Sequence, residues 1–196
     1  VHATWGRTFA GAFTPSKTMS ATTLLLFFNL LFALPPAPKP TVTFPVPSGV
    51  PNQLFYLQRD PNTNTVIYQL NVDRAGHLIE DEPVNVFWLR YDEHGERKDL
   101  NFIQRTFAYG LTAEKLAAAT YELKFAAYKK VRFFLLKSPT DKAFHVYTTI
   151  GGKQLQLGRV FLRIEGGTFW VPNVKYIEFK GINTATREPA AERIML

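Results

Sequence analysis

Apolar and polar residues alternate with a period of two over most of the chain beyond Gln53, the spacing of strands with one face buried. Gln53–Arg59 is the first such run. Thr65–Val72 is the second, with Val66, Tyr68 and Leu70 alternating against Ile67, Gln69 and Asn71. Asp60-Pro61-Asn62-Thr63 between them supplies turn formers, so the pair reads as a hairpin. After a turn at Asp73-Arg74-Ala75-Gly76, Pro83 opens a strand Val84–Tyr91 that is apolar on both faces: Val84, Val86 and Trp88 on one, Phe87 and Leu89 on the other. Such a strand needs cover on both sides. Beyond the turn Asp92-Glu93-His94-Gly95, the spacing of Leu100, Ile103, Phe107 and Leu111 predicts a covering helix over Arg97–Tyr109, closed by a left-handed Gly110. A strand stays open there, because Phe102, Gln104 and Thr106 suit one. Thr112 is placed to cap a further short turn through Ala119.

Strands resume at Tyr121–Tyr128 and Val131–Leu136, followed by a turn at Ser138-Pro139-Thr140-Asp141. Ala143–Ile150 and Lys153–Ile164 flank Gly151-Gly152, a two-residue hairpin loop. Within the second run Leu155 and Leu157 are odd-numbered, whereas Val160, Leu162 and Ile164 are even; Gly158 lies at the change of phase and predicts a β-bulge. Gly166-Gly167 makes a turn, and Thr168–Val171 and Val174–Lys180 close the sheet. The polar tail after Gly181 is expected to be loosely held, with Ile194 and Leu196 able to dock. Strands that do not alternate with helices disfavour a parallel α/β sheet. The pattern predicts a mainly β domain, an antiparallel barrel or two-sheet sandwich of about eight to nine strands with one packed helix.

The first 37 residues follow another pattern. Leu24–Leu34 is a run of apolar residues interrupted only by Asn29, preceded by Lys17 and stopped by prolines at 35, 36, 38 and 40. It resembles the core of a secretory signal and is shorter than the roughly 20 residues of a spanning helix. Residues 1–37 are therefore expected to be a targeting segment cleaved between 33 and 40, residues 38–52 a proline-rich linker, and residues 53–196 one β-rich domain. An uncleaved anchor at a membrane and a buried helix are the other readings. Met19 marks a second candidate start, leaving residues 1–18 outside the product. On the first reading the protein is periplasmic or secreted.

Composition sharpens this only in places. Aromatics make up 14% of the 196 residues, which suits half-buried strands. With no cysteine, disulfides, thiolate metal sites and cysteine nucleophiles are excluded. The net charge is +7; Arg7 and Lys17 are the charged residues of the first 37, leaving 21 basic against 16 acidic residues beyond. That mild excess reads as a solvated surface.

Asn52-Gln53-Leu54-Phe55-Tyr56-Leu57-Gln58-Arg59, then Asn62, Asn64 and Tyr68-Gln69-Leu70-Asn71, resemble the opening of the bacterial family called domain of unknown function 4833. Pro83-Val84, Trp88, Gln104 and Ala108-Tyr109-Gly110 are similar to its middle. The resemblance covers roughly residues 50 to 195 and implies a short exported bacterial protein, with no activity attached.

No catalytic motif emerges. His77, His94 and His145 lie far apart in sequence and form no metal-ligand spacing, so neither a metal nor a cofactor is expected. Glu80-Asp81-Glu82 and Asp92-Glu93 with Glu96 fall in turns, where carboxylates are ordinarily solvated. Ser48 and Ser138 sit in no nucleophile elbow. Lys129-Lys130-Val131-Arg132, and Lys153 with Arg159 and Arg163, mix basic residues with aromatics, but an exported protein seldom meets nucleic acid. The polar residues that stand out lie on apolar elements. Arg59 ends an aromatic strand, Trp88 and Arg90 share a face, Tyr68 lies on the second strand, and Gln104 is on the predicted helix. An arginine beside aromatics on an inner face can hold a carboxylate or phosphate. Arg59, Tyr68, Trp88, Arg90 and Gln104 are thus the candidate ligand-binding residues. The expectation is a non-enzymatic envelope domain that binds a small apolar or anionic ligand or a periplasmic partner. A hydrolase built from dispersed Asp, Glu and His residues is the alternative.

Overall fold

The computed structural model describes residues 42–168 and 171–196. The expected targeting segment 1–37 and the start of the linker lie outside the described residues.

The described chain is mainly β, with one short helix. Its strands are β1 (Gln53–Arg59), β2 (Asn62–Leu70), β3 (Val84–Arg90), β4 (Glu96–Asp99), β5 (Leu111–Ala117), β6 (Thr120–Phe125), β7 (Phe133–Lys137), β8 (Phe144–Ile150), β9 (Lys153–Gly167), β10 (Pro172–Asn183) and β11 (Pro189–Met195). The helix α1 is Phe102–Phe107, and Tyr91–Glu93 forms a single 3-10 turn. Nine strands run in the order β4-β3-β2-β1-β9-β8-β7-β6-β5, a curled half-barrel, with β10 and then β11 added beside β9.

The long strand β9 organises the sheet. Its first residues pair with β8 (Tyr147↔Gln156, Ile150↔Lys153), and its later ones pair with β1 (Tyr56↔Arg159, Arg59↔Leu162). The β1–β9 pairing is parallel; every other strand pair is antiparallel. Two four-stranded meanders thus hang from successive stretches of one strand. They share a single core in which Phe55 stacks on Tyr68 at 4.3 Å and Phe125 meets both edge-on.

The expected bulge is present. Lys180 pairs with Arg159 and Gly181 with Leu157, leaving Gly158 as the extra residue. Leu155, Leu157 and Val160 are all buried in spite of the odd-to-even switch, because the bulge turns the strand between them. The Gly151-Gly152 loop is also as expected, with both glycines at positive φ between β8 and β9.

Several expectations need correction. Residues 96–99 are a strand rather than the start of a helix, and the helix is limited to one and a half turns capped by Asn101, which exchanges bonds with Gln104. The outer face of β3 is covered from β4, where the Arg97 guanidinium lies 3.8 Å over the Phe87 ring. Gly110 has no left-handed backbone. It is needed because a Cβ there would lie 1.9 Å from the Arg105 carbonyl oxygen. Thr112 caps no turn; it is in β5. Thr168 and Val171 belong to the β9–β10 connection, not to a strand. The tail is not loose either, since β11 pairs with β10 from Tyr176↔Met195 to Ile182↔Pro189 and Ile194 packs on the core. The described part of the linker forms no strand but is held: Pro47 is buried, Phe44 meets Phe161 edge-on, and Gln58 Nε2 donates to the Pro45 carbonyl at 2.6 Å.

Candidate functional site

Beneath α1, one end of the core is left unfilled. Leu57 of β1, Phe133 of β7, Val160 and Leu162 of β9, and Ile177 and Phe179 of β10 enclose a cavity of about 460 Å³. Ile103 and Phe107, one turn apart on α1, roof it. The lining is almost entirely apolar and includes no Asp, Glu or His. A volume near 460 Å³ falls in the range of small-molecule sites, and an apolar wall with few polar groups is their usual make-up.

Arg59 is the one charged side chain in that wall. It points inward because it lies two residues beyond the core residue Leu57 on the same strand face. Its guanidinium carbon sits 5.5 Å from the Tyr109 ring centre and 5.9 Å from that of Trp88. Its neighbour Asp60 is committed elsewhere, to Arg163. Among the described residues no carboxylate lies within ion-pair distance of Arg59, and its buried Nε has no hydrogen-bond partner. Two aromatic faces stabilise the cation, but they accept no N–H bond in its plane. A buried donor left so costs free energy until something accepts from it.

The aromatic frame around Arg59 is fixed from behind. Trp88 and Tyr109 meet edge-on at 4.9 Å. Trp88 Nε1 donates to Gln104 Oε1 at 3.2 Å, and the same oxygen accepts from the Asn101 backbone N–H as part of the helix cap. Tyr68, wholly buried, donates its hydroxyl to the Tyr109 carbonyl at 2.8 Å. Burial raises the Tyr68 hydroxyl pKa well above its usual value, and the nearby Tyr109 adds to this, so Tyr68 stays a donor. Burial also raises the pKa of Tyr109, and the Arg59 charge offsets part of that.

The five residues picked from sequence therefore separate. Arg59 and Gln104 line the cavity, and Trp88 touches both. Tyr68 stands one layer behind, reaching the site through Tyr109. Arg90 is not in the cavity wall. It is at the end of β3, bonded to Asp92 at 3.2 Å and Glu93 at 2.8 Å. The sequence reading missed Tyr109 and the β10 wall. The one signal for Tyr109 was its place just beyond an apolar i, i+4 pair, Ile103 and Phe107.

The remaining titratable groups do not converge here. Glu80 pairs with Lys115 and Glu82 with Arg105, all of them exposed. His145 lines a separate hollow with Lys137 and Lys142, and its Nε2 is 2.7 Å from Asp141. Among the described residues no group of three His, Asp or Glu side chains is placed to hold a metal.

Searches of the curated proteins and of the solved structures gave no match. The family model described as Domain of unknown function (DUF4833) matches residues 55–193, a span running from β1 to β11 that holds Arg59 and its aromatic frame, and the chain belongs to that family.

Proposed function

We propose that this domain is a non-enzymatic binding module for a small amphipathic anion, a long apolar body ending in a carboxylate or a similar acid. The observation that carries this reading is Arg59, a cation in the wall of an otherwise apolar cavity whose buried Nε lacks an acceptor. An acid group would accept from it with a charge-assisted bond, and the apolar tail would displace water from the lining. No acid or histidine lines the cavity, which supports binding rather than hydrolysis. In this reading β1–β4 and β5–β8 act as the two layers of a sandwich, with the ligand at one end between them. We further propose that Leu24–Leu34 directs export, so that the module works in the bacterial envelope. Replacing Leu25 and Leu26 with Arg should then trap the precursor in the cytoplasm, and arrival of that variant at the envelope would overturn the export reading.

The binding test is displacement of a fluorescent fatty acid. The protein should bind the probe saturably, release it to long-chain fatty acids, and respond much less to their methyl esters. Arg59→Met should weaken binding about 10–100-fold, the range of one hydrogen bond to a charged group. Its thermal midpoint should stay near that of the parent, since an unpaired cation and two aromatic contacts are lost together. No saturable binding, or equal affinity for acid and ester, would overturn the proposal.

A further inference from the structure

The roof of the cavity is not sealed by apolar packing; it presents apolar surface to the outside. Phe107 is 65% exposed and Ile103 44%, although both line the cavity. Beside them Phe102 is 76% exposed, and Val171, next in chain to the lining residue Pro172, is 74% exposed. Large apolar side chains scattered singly mean little, but two of these four line the cavity and the other two are each next in chain to a lining residue. Lys129 and Lys130 directly follow the lining residue Tyr128, and Lys175 follows Val174. All three lysines are exposed, and none forms an ion pair with another described residue, whereas the neighbouring Arg105 and Arg163 are matched by Glu82 and by Asp60 and Glu165.

We propose that this rim is the face by which the domain docks onto an anionic lipid bilayer, with the cavity mouth against the membrane. The inference rests on the amphiphile-binding reading above and names the source of the ligand. An amphiphile is held in bilayers rather than free in water, so a mouth pressed on the bilayer takes it up without full hydration of its tail. Charge decides between the possible occupants. Unpaired lysines around apolar side chains suit a surface of acidic headgroups, whereas a second copy of this chain would set those lysines against each other. Among the described residues no helix is long and apolar enough to cross a membrane.

The full chain has no cysteine, so one can be introduced as a reporter. Phe102→Cys places an environment-sensitive dye on the rim without altering the cavity lining. Ala118→Cys places it in the β5–β6 turn, at the other end of β6 from the lining residue Phe125. With vesicles of phosphatidylcholine and phosphatidylglycerol, the dye at 102 should shift to the blue and the dye at 118 should not. Pure phosphatidylcholine should need on the order of tenfold more lipid, and Lys129→Glu with Lys130→Glu should weaken the response on anionic vesicles by a similar factor. Silence at 102, an equal response at 118, no dependence on acidic lipid, or a lipid-free shift that grows with protein concentration each overturns the proposal. Displacement of the fluorescent fatty acid in solution reports the cavity alone, so failure at the membrane is distinguishable from failure of the binding reading.

Discussion

Tyr68 shows how a residue can serve a cavity it does not touch. Its hydroxyl is the partner of the Tyr109 carbonyl, and Tyr109 is one of the two rings against Arg59. Tyr68→Phe removes that donor and leaves a buried carbonyl unpaired, so it should cost about 1–2 kcal/mol in denaturant unfolding. Affinity for an acidic amphiphile should fall severalfold while its preference for acid over ester is kept; loss of the preference would place Tyr68 in direct contact with the ligand. On the outer face, Glu178 is nearly buried between Arg193 at 2.7 Å and Lys180 at 3.1 Å. Burial raises its pKa, but the bonds and charges of the two cations outweigh it and hold the carboxyl below its usual value. A carboxyl lowered in the folded state stabilises the fold above the unfolded value, about 4.3, and loses that effect as pH falls through the folded one. Glu178→Gln should therefore lower stability at neutral pH by about 1 kcal/mol, the modest figure reflecting two half-exposed partners. The gap in thermal midpoint, about 2–4 °C at neutral pH, should close towards pH ~3. A gap independent of pH would assign the effect to packing alone.

The β9–β10 ladder contains two glycines with opposite tolerance. Gly158 is the bulge residue, and a Cβ there would lie 3.7 Å from the Lys180 carbonyl oxygen, an ordinary contact. Across the ladder, a Cβ on Gly181 would lie 2.0 Å from the Gln156 carbonyl oxygen, where only backbone movement makes room. Gly158→Ala should change stability by less than about 1 kcal/mol, and Gly181→Ala should cost about 2–3 kcal/mol by chemical denaturation. Equal costs would contradict the register of this ladder. The bulge was legible in the sequence because burial forces apolar residues inward, so their change of parity at Leu157 and Val160 records the bend. β4, β5 and β11 were not legible, for the converse reason. Glu96–Asp99 is wholly exposed, Leu111–Ala117 mostly so, and β11 shows only a shallow alternation. These strands are fixed by backbone pairing with a neighbour, which leaves no apolar signature. The sequence pattern overextends the short helix because Leu100 and Leu111 share its spacing with Ile103 and Phe107 while lying outside it. In the site, Arg59, Trp88 and Gln104 were legible as polar or amphipathic groups on apolar elements. The cavity itself was not, since it depends on β1 lying parallel beside β9, a pairing between residues about a hundred positions apart.

For the whole chain, two stretches before β1 are expected to differ in what they add to stability. The family match begins at residue 55, within β1, yet the described part of the linker is tied to the domain before that point. Phe44 packs edge-on at 5.1 Å against Phe161, and the Pro45 carbonyl accepts from Gln58, a side chain that is 2% exposed and also donates to Thr65 Oγ1 at 3.0 Å. The proline-rich composition explains why this stretch forms no strand, but being unpaired is not being loose: prolines pre-set an extended chain and lower the entropy lost in docking it. Residues 1–40 have another role if they direct export, since a segment that is removed cannot be needed by the mature fold. Deletion of residues 1–40 should therefore leave the thermal midpoint within about 2 °C of the full chain. Deletion of residues 1–51 strips the Phe161 contact and one acceptor from the buried Gln58 amide, and should cost about 2 kcal/mol, or roughly 4–8 °C. If the shorter deletion alone unfolds the protein, residues 1–40 are part of the domain and the signal reading fails. If the longer deletion leaves the midpoint unchanged, the linker contacts contribute nothing and the domain begins at β1.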